Sequence, residues 1–202
     1  MLDKVSKETY HKKSAIKLGY MMNRIDRNKL NPEKVVGFTA GNFDLLHPGY
    51  IYTFEDARKH CDHFIVFLQR DPSATRYSKY KPVIPLYERY RALMAIQYVD
   101  EVYIYQTEEE LYNLIKYFKP DVRILGEDYI GKSCTGDDLP PKIIYTSRAH
   151  GWSTTKLKNL ITKQTMKQNP DVLKDKVTEN EKQNTNNKNK EQDSDSVPVR
   201  GL

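Results

Sequence analysis

The chain has 202 residues, 38% apolar and 30% charged, with a net charge of +6, enough for one domain with a real core plus extensions. The charge is uneven: residues 1–34 balance at +5, residues 35–162 hold 16 basic and 16 acidic side chains, and residues 163–202 balance at +1. A neutral globular part argues against a nucleic-acid-binding domain, which would carry its own basic face. The two cysteines, Cys61 and Cys134, are far apart and show no Cys/His ligand spacing, so neither a disulfide framework nor a zinc site is expected. No apolar signal core follows Met1, and the longest strongly apolar run, residues 64–68, is far short of a membrane span. A cytoplasmic protein with no membrane partner is the expectation.

Along the chain, residues 1–34 form a basic extension, partly helical in pattern, with Ile16, Leu18, Met21, Met22 and Ile25 as contact points and Asn31-Pro32 as its end. Strand-like and helix-like segments then alternate. Strands are expected at 35–39, 63–69, 101–105, 122–125 and 142–145, and helices at 49–60, 86–97, 108–118 and 154–162. The strands are continuous apolar runs, as strands covered on both faces are. Alternation of this kind predicts an α/β fold: a single Rossmann-like domain over 35–162, its five-stranded parallel sheet flanked by helices through right-handed crossovers. Residues 163–202 lack aromatic side chains and are rich in Lys, Asn, Gln, Asp and Glu. They bury too little apolar area to offset ordering, so a disordered polar tail is expected.

Gly41-Asn42-Phe43-Asp44-Leu45-Leu46-His47-Pro48-Gly49-Tyr50 joins the first expected strand to the first expected helix. A strand that ends in a glycine turn and enters a helix makes an anion site, because the first helical amides lack helical partners and the dipole favours negative charge there. His47 stands at the entrance, Pro48 suits a first helical turn, and Gly49 lets a phosphate approach the backbone. The stretch resembles the G-x-F-D-x-x-H-x-G-H signature of the cytidylyltransferase-type nucleotidyltransferases. Every fixed position fits except the last, where Tyr50 replaces a second histidine.

A second segment, Arg148-Ala149-His150-Gly151-Trp152-Ser153-Thr154-Thr155, resembles the late motif of the same family, an arginine, a short spacer with glycine, then S-T-T. Hydroxyls at a helix start cap it and can also bind phosphate oxygens. The resemblance covers roughly residues 34–162 and implies that Arg148, Ser153, Thr154 and Thr155 bind the triphosphate, while His150 falls in the variable part as structural or peripheral. Lys81 and Arg89 fall where the family places a loop lysine and a helix arginine on phosphates; Arg76 and Lys79 are weaker candidates. Gly126 and Asp128, in Leu125-Gly126-Glu127-Asp128-Tyr129, resemble a G-x-D-[WY] segment at the nucleoside. Phe43 belongs with the nucleotide site, and Asp44 and Asp71 with the acceptor.

The resemblance implies that an alcohol phosphate attacks the α-phosphorus of a nucleoside triphosphate and pyrophosphate leaves, with Mg²⁺ accompanying the nucleotide, no dedicated metal site, and a homodimer. Such chemistry is mostly positioning and charge stabilisation. His47 and Lys81 would serve the reacting phosphate, with Tyr50 as a donor lacking the charge of histidine; a lost donor at developing charge costs about 10²- to 10³-fold in rate. The leading expectation is transfer of CMP from CTP to an acceptor such as glycerol 3-phosphate. Two alternatives stay open. One is an adenylyltransferase using ATP and a sugar phosphate, since Lys81-Pro82-Val83-Ile84-Pro85-Leu86 resembles that branch equally; the other is a catalytically weak nucleotide-binding protein, on account of Tyr50.

Overall fold

Five short runs rich in β-branched and aromatic residues form one fully parallel sheet: β1 (Val36–Gly41), β2 (His63–Gln69), β3 (Glu101–Tyr105), β4 (Val122–Gly126) and β5 (Lys142–Thr146). The computed structural model describes residues 33–169 apart from Tyr77 and Pro140. The helices are α1 (Pro48–Ala57), α2 (Leu86–Met94), α3 (Glu108–Phe118) and α4 (Thr154–Gln168), with short 3-10 turns at Pro72–Ala74 and Glu127–Tyr129. The strand order β3-β2-β1-β4-β5 reverses direction at β1, the doubly wound arrangement expected from the alternating pattern. No helix among the described residues is long and apolar enough to cross a membrane.

Period-two alternation divides the core. In β2, Phe64, Val66 and Leu68 pack with Phe54 and Ala57 of α1 and Tyr90 and Leu93 of α2. The intervening Ile65 and Phe67 pack on the other face with Phe38 and with Leu111, Ile115 and Phe118 of α3. Phe38, Phe54, Phe64, Phe67 and Phe118 are all fully buried, and each such side chain contributes about 1.5–3 kcal/mol. Local signals fix α3: the Thr107 hydroxyl accepts from the Glu110 amide at 3.1 Å, glutamates fill the first turn, and Lys119 ends the helix in the left-handed region before Pro120.

The chain divides into two compact units after Thr154. The first holds the sheet and α1 to α3. The second, within the described residues, is the continuation of α4, in which no residue is buried and the Thr162 and Thr165 hydroxyls bond carbonyls one turn back. This helix runs through 163–168, so that part of the expected disordered tail is ordered backbone; the remainder of the tail, and the extension up to residue 32, lie outside the described residues.

The sheet is not uniformly paired. β1 follows β2 along its whole length, from Val36 with His63 to Gly41 with Leu68. Against β4 it pairs only at Gly37 and Phe38. Past Phe38 the two central strands part towards their carboxyl ends, at the point where the strand order reverses, which is where open α/β sheets bind ligands.

Candidate active site

A cavity of about 650 Å³ fills this gap. Thr39, Ala40 and Gly41 of β1 and Arg123, Leu125 and Gly126 of β4 form its sides, and His47, Gly49, Tyr50, Arg148 and His150 close one end. The chain enters α1 through a strained loop, with Phe43 at φ 45° and Leu45 at φ 49°, conformations uncommon for such side chains. His47 is the N-cap, with extended backbone; Pro48 occupies the first turn, and no side chain caps the helix. A helix start without a side-chain cap is suited to an anion.

His47 is 6% exposed, and its Nδ1 is buried with no hydrogen-bond partner among the described residues. Burial first, then the charges of His150 and Arg148, hold its imidazole below its ordinary range. A neutral imidazole therefore faces the ligand space with one ring nitrogen uncommitted. A Cβ on Gly49 would meet His150 Cε1 at 2.7 Å and His47 Cε1 at 3.0 Å. At Gly126 a Cβ would meet Asp128 Oδ1 at 2.4 Å and Arg148 Nε at 2.6 Å. Both glycines keep the functional side chains in place.

Tyr50 departs from its expected role. Its ring stacks on His47, with centroids 4.2 Å apart, and its hydroxyl lies 3.1 Å from Thr154 Oγ1. Thr154 Oγ1 donates its single proton to the Asp44 carbonyl at 3.2 Å, so Tyr50 is the donor to Thr154. The phenol proton that was expected to serve the phosphate instead ties α1 to the start of α4, and burial pushes the phenol's pKa up.

Other expectations are redirected by burial. Arg89 is 2% exposed and off the cavity wall. Its guanidinium donates to the carbonyls of Ile84 (3.0 Å), Asn42 (2.5 Å), Gln69 (2.8 Å) and Arg70 (2.5 Å), so it braces the strand ends instead of facing the cavity. Burial lowers its pKa. Asp44, 1% exposed, accepts from the amides of Val83 (3.1 Å) and Ile84 (2.9 Å), holding the 83–84 segment and not an acceptor. Asp71 caps the turn after β2, accepting from the Ser73 amide at 3.0 Å. Lys81 is exposed and does not line the cavity. Asp128 pairs with Arg148 Nε at 2.9 Å. Phe43 does line the cavity, while also packing in the core on Tyr50 and Phe54. Ser153 and Thr154 lie beside the site but not on its wall, and Thr155 is exposed and opens the second unit.

Sequence reasoning missed His150. It lies on the cavity wall over Gly49, and its Nδ1 accepts from the Trp152 amide at 3.0 Å, so Nε2 is the ring nitrogen left to donate. Only its place beside Gly151 and Arg148 in the late motif hinted at this. Also missed was the far side of the cavity, formed by Tyr105, Glu108, Leu111, Arg123 and residues 133–135, which share no local pattern.

Residues 38–160 match the cytidylyltransferase-like family model: the chain belongs to that family of nucleotidyltransferases. It is 34% identical over 157 residues to the bifunctional protein HldE of Campylobacter fetus subsp. fetus, covering 77% of this chain and 33% of that protein. It is 36% identical over 126 residues to HldE of Gluconacetobacter diazotrophicus, covering 60% of this chain and 26% of the other. The chain thus spans a third or less of these curated relatives. Among solved structures, the lipopolysaccharide core biosynthesis protein from Thermoplasma volcanium is similar at a TM-score of 0.48 and 24% identity, over 56% of this chain and 97% of that one.

Proposed function

Starting from membership of the cytidylyltransferase-like family, we propose that this protein transfers the adenylyl group of ATP to a sugar phosphate. A phosphate oxygen of the acceptor forms a bond to the α-phosphorus, the bond from that phosphorus to the bridging oxygen breaks, and pyrophosphate carries away the electron pair. The observation that carries the reading is the uncapped start of α1 facing a cavity, with a buried, uncommitted imidazole at its lip. Similarity to HldE proteins favours ATP and a sugar phosphate over CTP and glycerol 3-phosphate.

In this reading Gly49 admits the phosphates to the helix start. Arg148 holds them with a planar fork, of which the bridge to Asp128 uses only Nε. His47 offers a hydrogen bond to charge developing at the α-phosphate. Since Tyr50 donates to Thr154, the second imidazole of the site is His150, which reaches the same spot from the late motif. Among the described residues no group of three or more His, Cys, Asp or Glu could hold a metal ion, so Mg²⁺ would arrive on the nucleotide, through phosphate oxygens and water. Bound there, it would offset phosphate charge.

The engagement of Tyr50 also favours a second reading, a nucleotide-binding protein with little turnover. Pyrophosphate release from the full chain with Mg²⁺ separates the readings, with ATP and CTP each tested against sugar 1-phosphates and glycerol 3-phosphate. Release with ATP and a sugar phosphate is expected. Release only with CTP and glycerol 3-phosphate would return the assignment to cytidylyl transfer. Silence with every pair, while calorimetry still registers ATP binding, would favour the binding protein.

A further inference from the structure

The cavity extends from the α1 side of the sheet to the α3 side, and there it meets a different set of groups. Arg76 and Thr135 both bond the Glu108 carboxylate, joining the loop after β2, the start of α3 and the 133–135 segment around this lobe. Burial opposes charge on Glu108, yet the Thr135 hydroxyl and the Arg76 guanidinium hold its carboxyl below the usual range. Glu108 is therefore an ionised group already committed to two donors.

Arg123 is differently placed. It is 4% exposed and lies on the cavity wall. One Nη donates to the Thr135 carbonyl at 2.7 Å, and the guanidinium sits 5.4 Å from the centroid of the Phe38 ring. Its Nε is buried without a partner among the described residues, and its ion pair to Asp137 is long, at 3.8 Å. Asp137 is itself engaged with the amide and thiol of Cys134. A buried guanidinium whose neighbouring carboxylates, Glu108 and Asp137, are committed to other donors and whose Nε is unused is costly unless a ligand supplies what is missing.

We propose that Arg123 binds an anionic group on the acceptor, either a carboxylate or a second phosphate, distinct from the phosphate that attacks. The proposal rests on the reading that this cavity takes a nucleoside triphosphate and an acceptor phosphate. The triphosphate has its own partners at the start of α1, with Arg148 and the two imidazoles. With the nucleoside on the Gly126 side, the acceptor, which must meet the α-phosphate, extends into the Arg123 lobe. A planar fork suits a carboxylate or phosphate, which takes two parallel hydrogen bonds from it, whereas a neutral hydroxyl takes one.

Calorimetry on the full chain loaded with α,β-methylene ATP, which binds but cannot transfer, tests this with glucose 1-phosphate, glucose 1,6-bisphosphate and glucuronic acid 1-phosphate. At least one of the two doubly anionic compounds should bind about 10- to 100-fold tighter than glucose 1-phosphate; the tighter of the two identifies the group. Arg123→Gln should erase the preference and leave affinity for the nucleotide analogue unchanged. Arg123→Lys, which keeps the charge, should retain the direction of the preference and serves if the glutamine variant does not fold. Equal binding of all three compounds, or a preference that survives in Arg123→Gln, would overturn the proposal. Pyrophosphate release is read separately. Silence with ATP and all three acceptors, beside an intact Arg123-dependent preference, would count against the transferase and sustain the anion subsite. Turnover with glucose 1-phosphate and no preference would do the reverse.

Discussion

The substitution of tyrosine for the second motif histidine acquires its meaning from where one proton goes. Because Thr154 donates to the Asp44 carbonyl, Tyr50 donates to Thr154 and has no proton left for a phosphate. In the proposed function His150, poised over Gly49 with Nε2 left to donate, would take the vacant role. His150→Ala should lower kcat by about 10²- to 10³-fold, and adding Tyr50→His should recover most of it, since the histidine then returns to its motif position. An unchanged kcat in His150→Ala would remove the residue from the chemistry; a loss that Tyr50→His cannot recover would make its role structural. His47 gives a separate, pH-dependent expectation. Its folded-state pKa lies below the ordinary 6.5, so as pH falls the unfolded chain takes up the proton first. The stability contribution is complete above about 6.5 and is lost as pH falls towards the lowered folded value. Urea midpoints at pH 7.5 and 5.5 should differ less in His47→Gln than in the parent chain; equal differences would assign the dependence to other groups.

Between elements, a single guanidinium does what several backbone pairs would otherwise do. Arg89 of α2 holds the carbonyls of Asn42 after β1, Gln69 and Arg70 at the end of β2, and Ile84 before its own helix. Removing it leaves four carbonyls short of a donor in a mostly buried place, and unsatisfied groups cost about 1–3 kcal/mol each where they cannot rehydrate. Arg89→Leu should therefore destabilise the fold by about 3 kcal/mol or more in urea unfolding, while residual folded protein binds ATP with near-normal affinity. A large loss of ATP affinity without a stability loss would restore the phosphate-binding role expected from sequence. The contrast shows what sequence can carry. α3 was legible to its ends because its signals are local: Thr107, the glutamates of the first turn, and Lys119-Pro120. The His47–Gly49 entrance was legible for the same reason, since strand, turn and helix start are contiguous. Arg89 and Asp44 were not, because a buried strut and a ligand contact use the same letter, and only the strand ends folded over them decide which it is. Apart from Arg76, the Arg123 lobe escaped the sequence because its members come from segments scattered from residue 76 to residue 135 that meet only in the folded chain.

Across the whole first unit, the sheet separates chemistry from stability by its two edges. At the carboxyl ends of the strands lie the strained loop at Phe43 and Leu45, the buried imidazole, and the gap where β1 and β4 part. At the amino ends, acidic side chains secure strand starts: Asp62 accepts from the Val35 amide at 3.0 Å, Asp121 from Val36 at 2.8 Å and Asp100 from Phe64 at 2.7 Å. Asp100 does most, because it also takes Arg58 from the end of α1 at 2.6 Å, tying a helix and two strands at one point. Its side chain is 30% exposed, so the ion pair itself is partly screened and adds little, and the larger loss on substitution is the unpaired Phe64 amide. Asp100→Ala should thus cost about 1–3 kcal/mol in urea unfolding. It should leave the affinity for ATP, read by calorimetry well below the unfolding transition, within about twofold, because strand length lies between this edge and the cavity. An ATP affinity that falls together with stability would mean that the two edges move as one body and that the gap between β1 and β4 is set from below, by the strand starts, instead of by the side chains that line it.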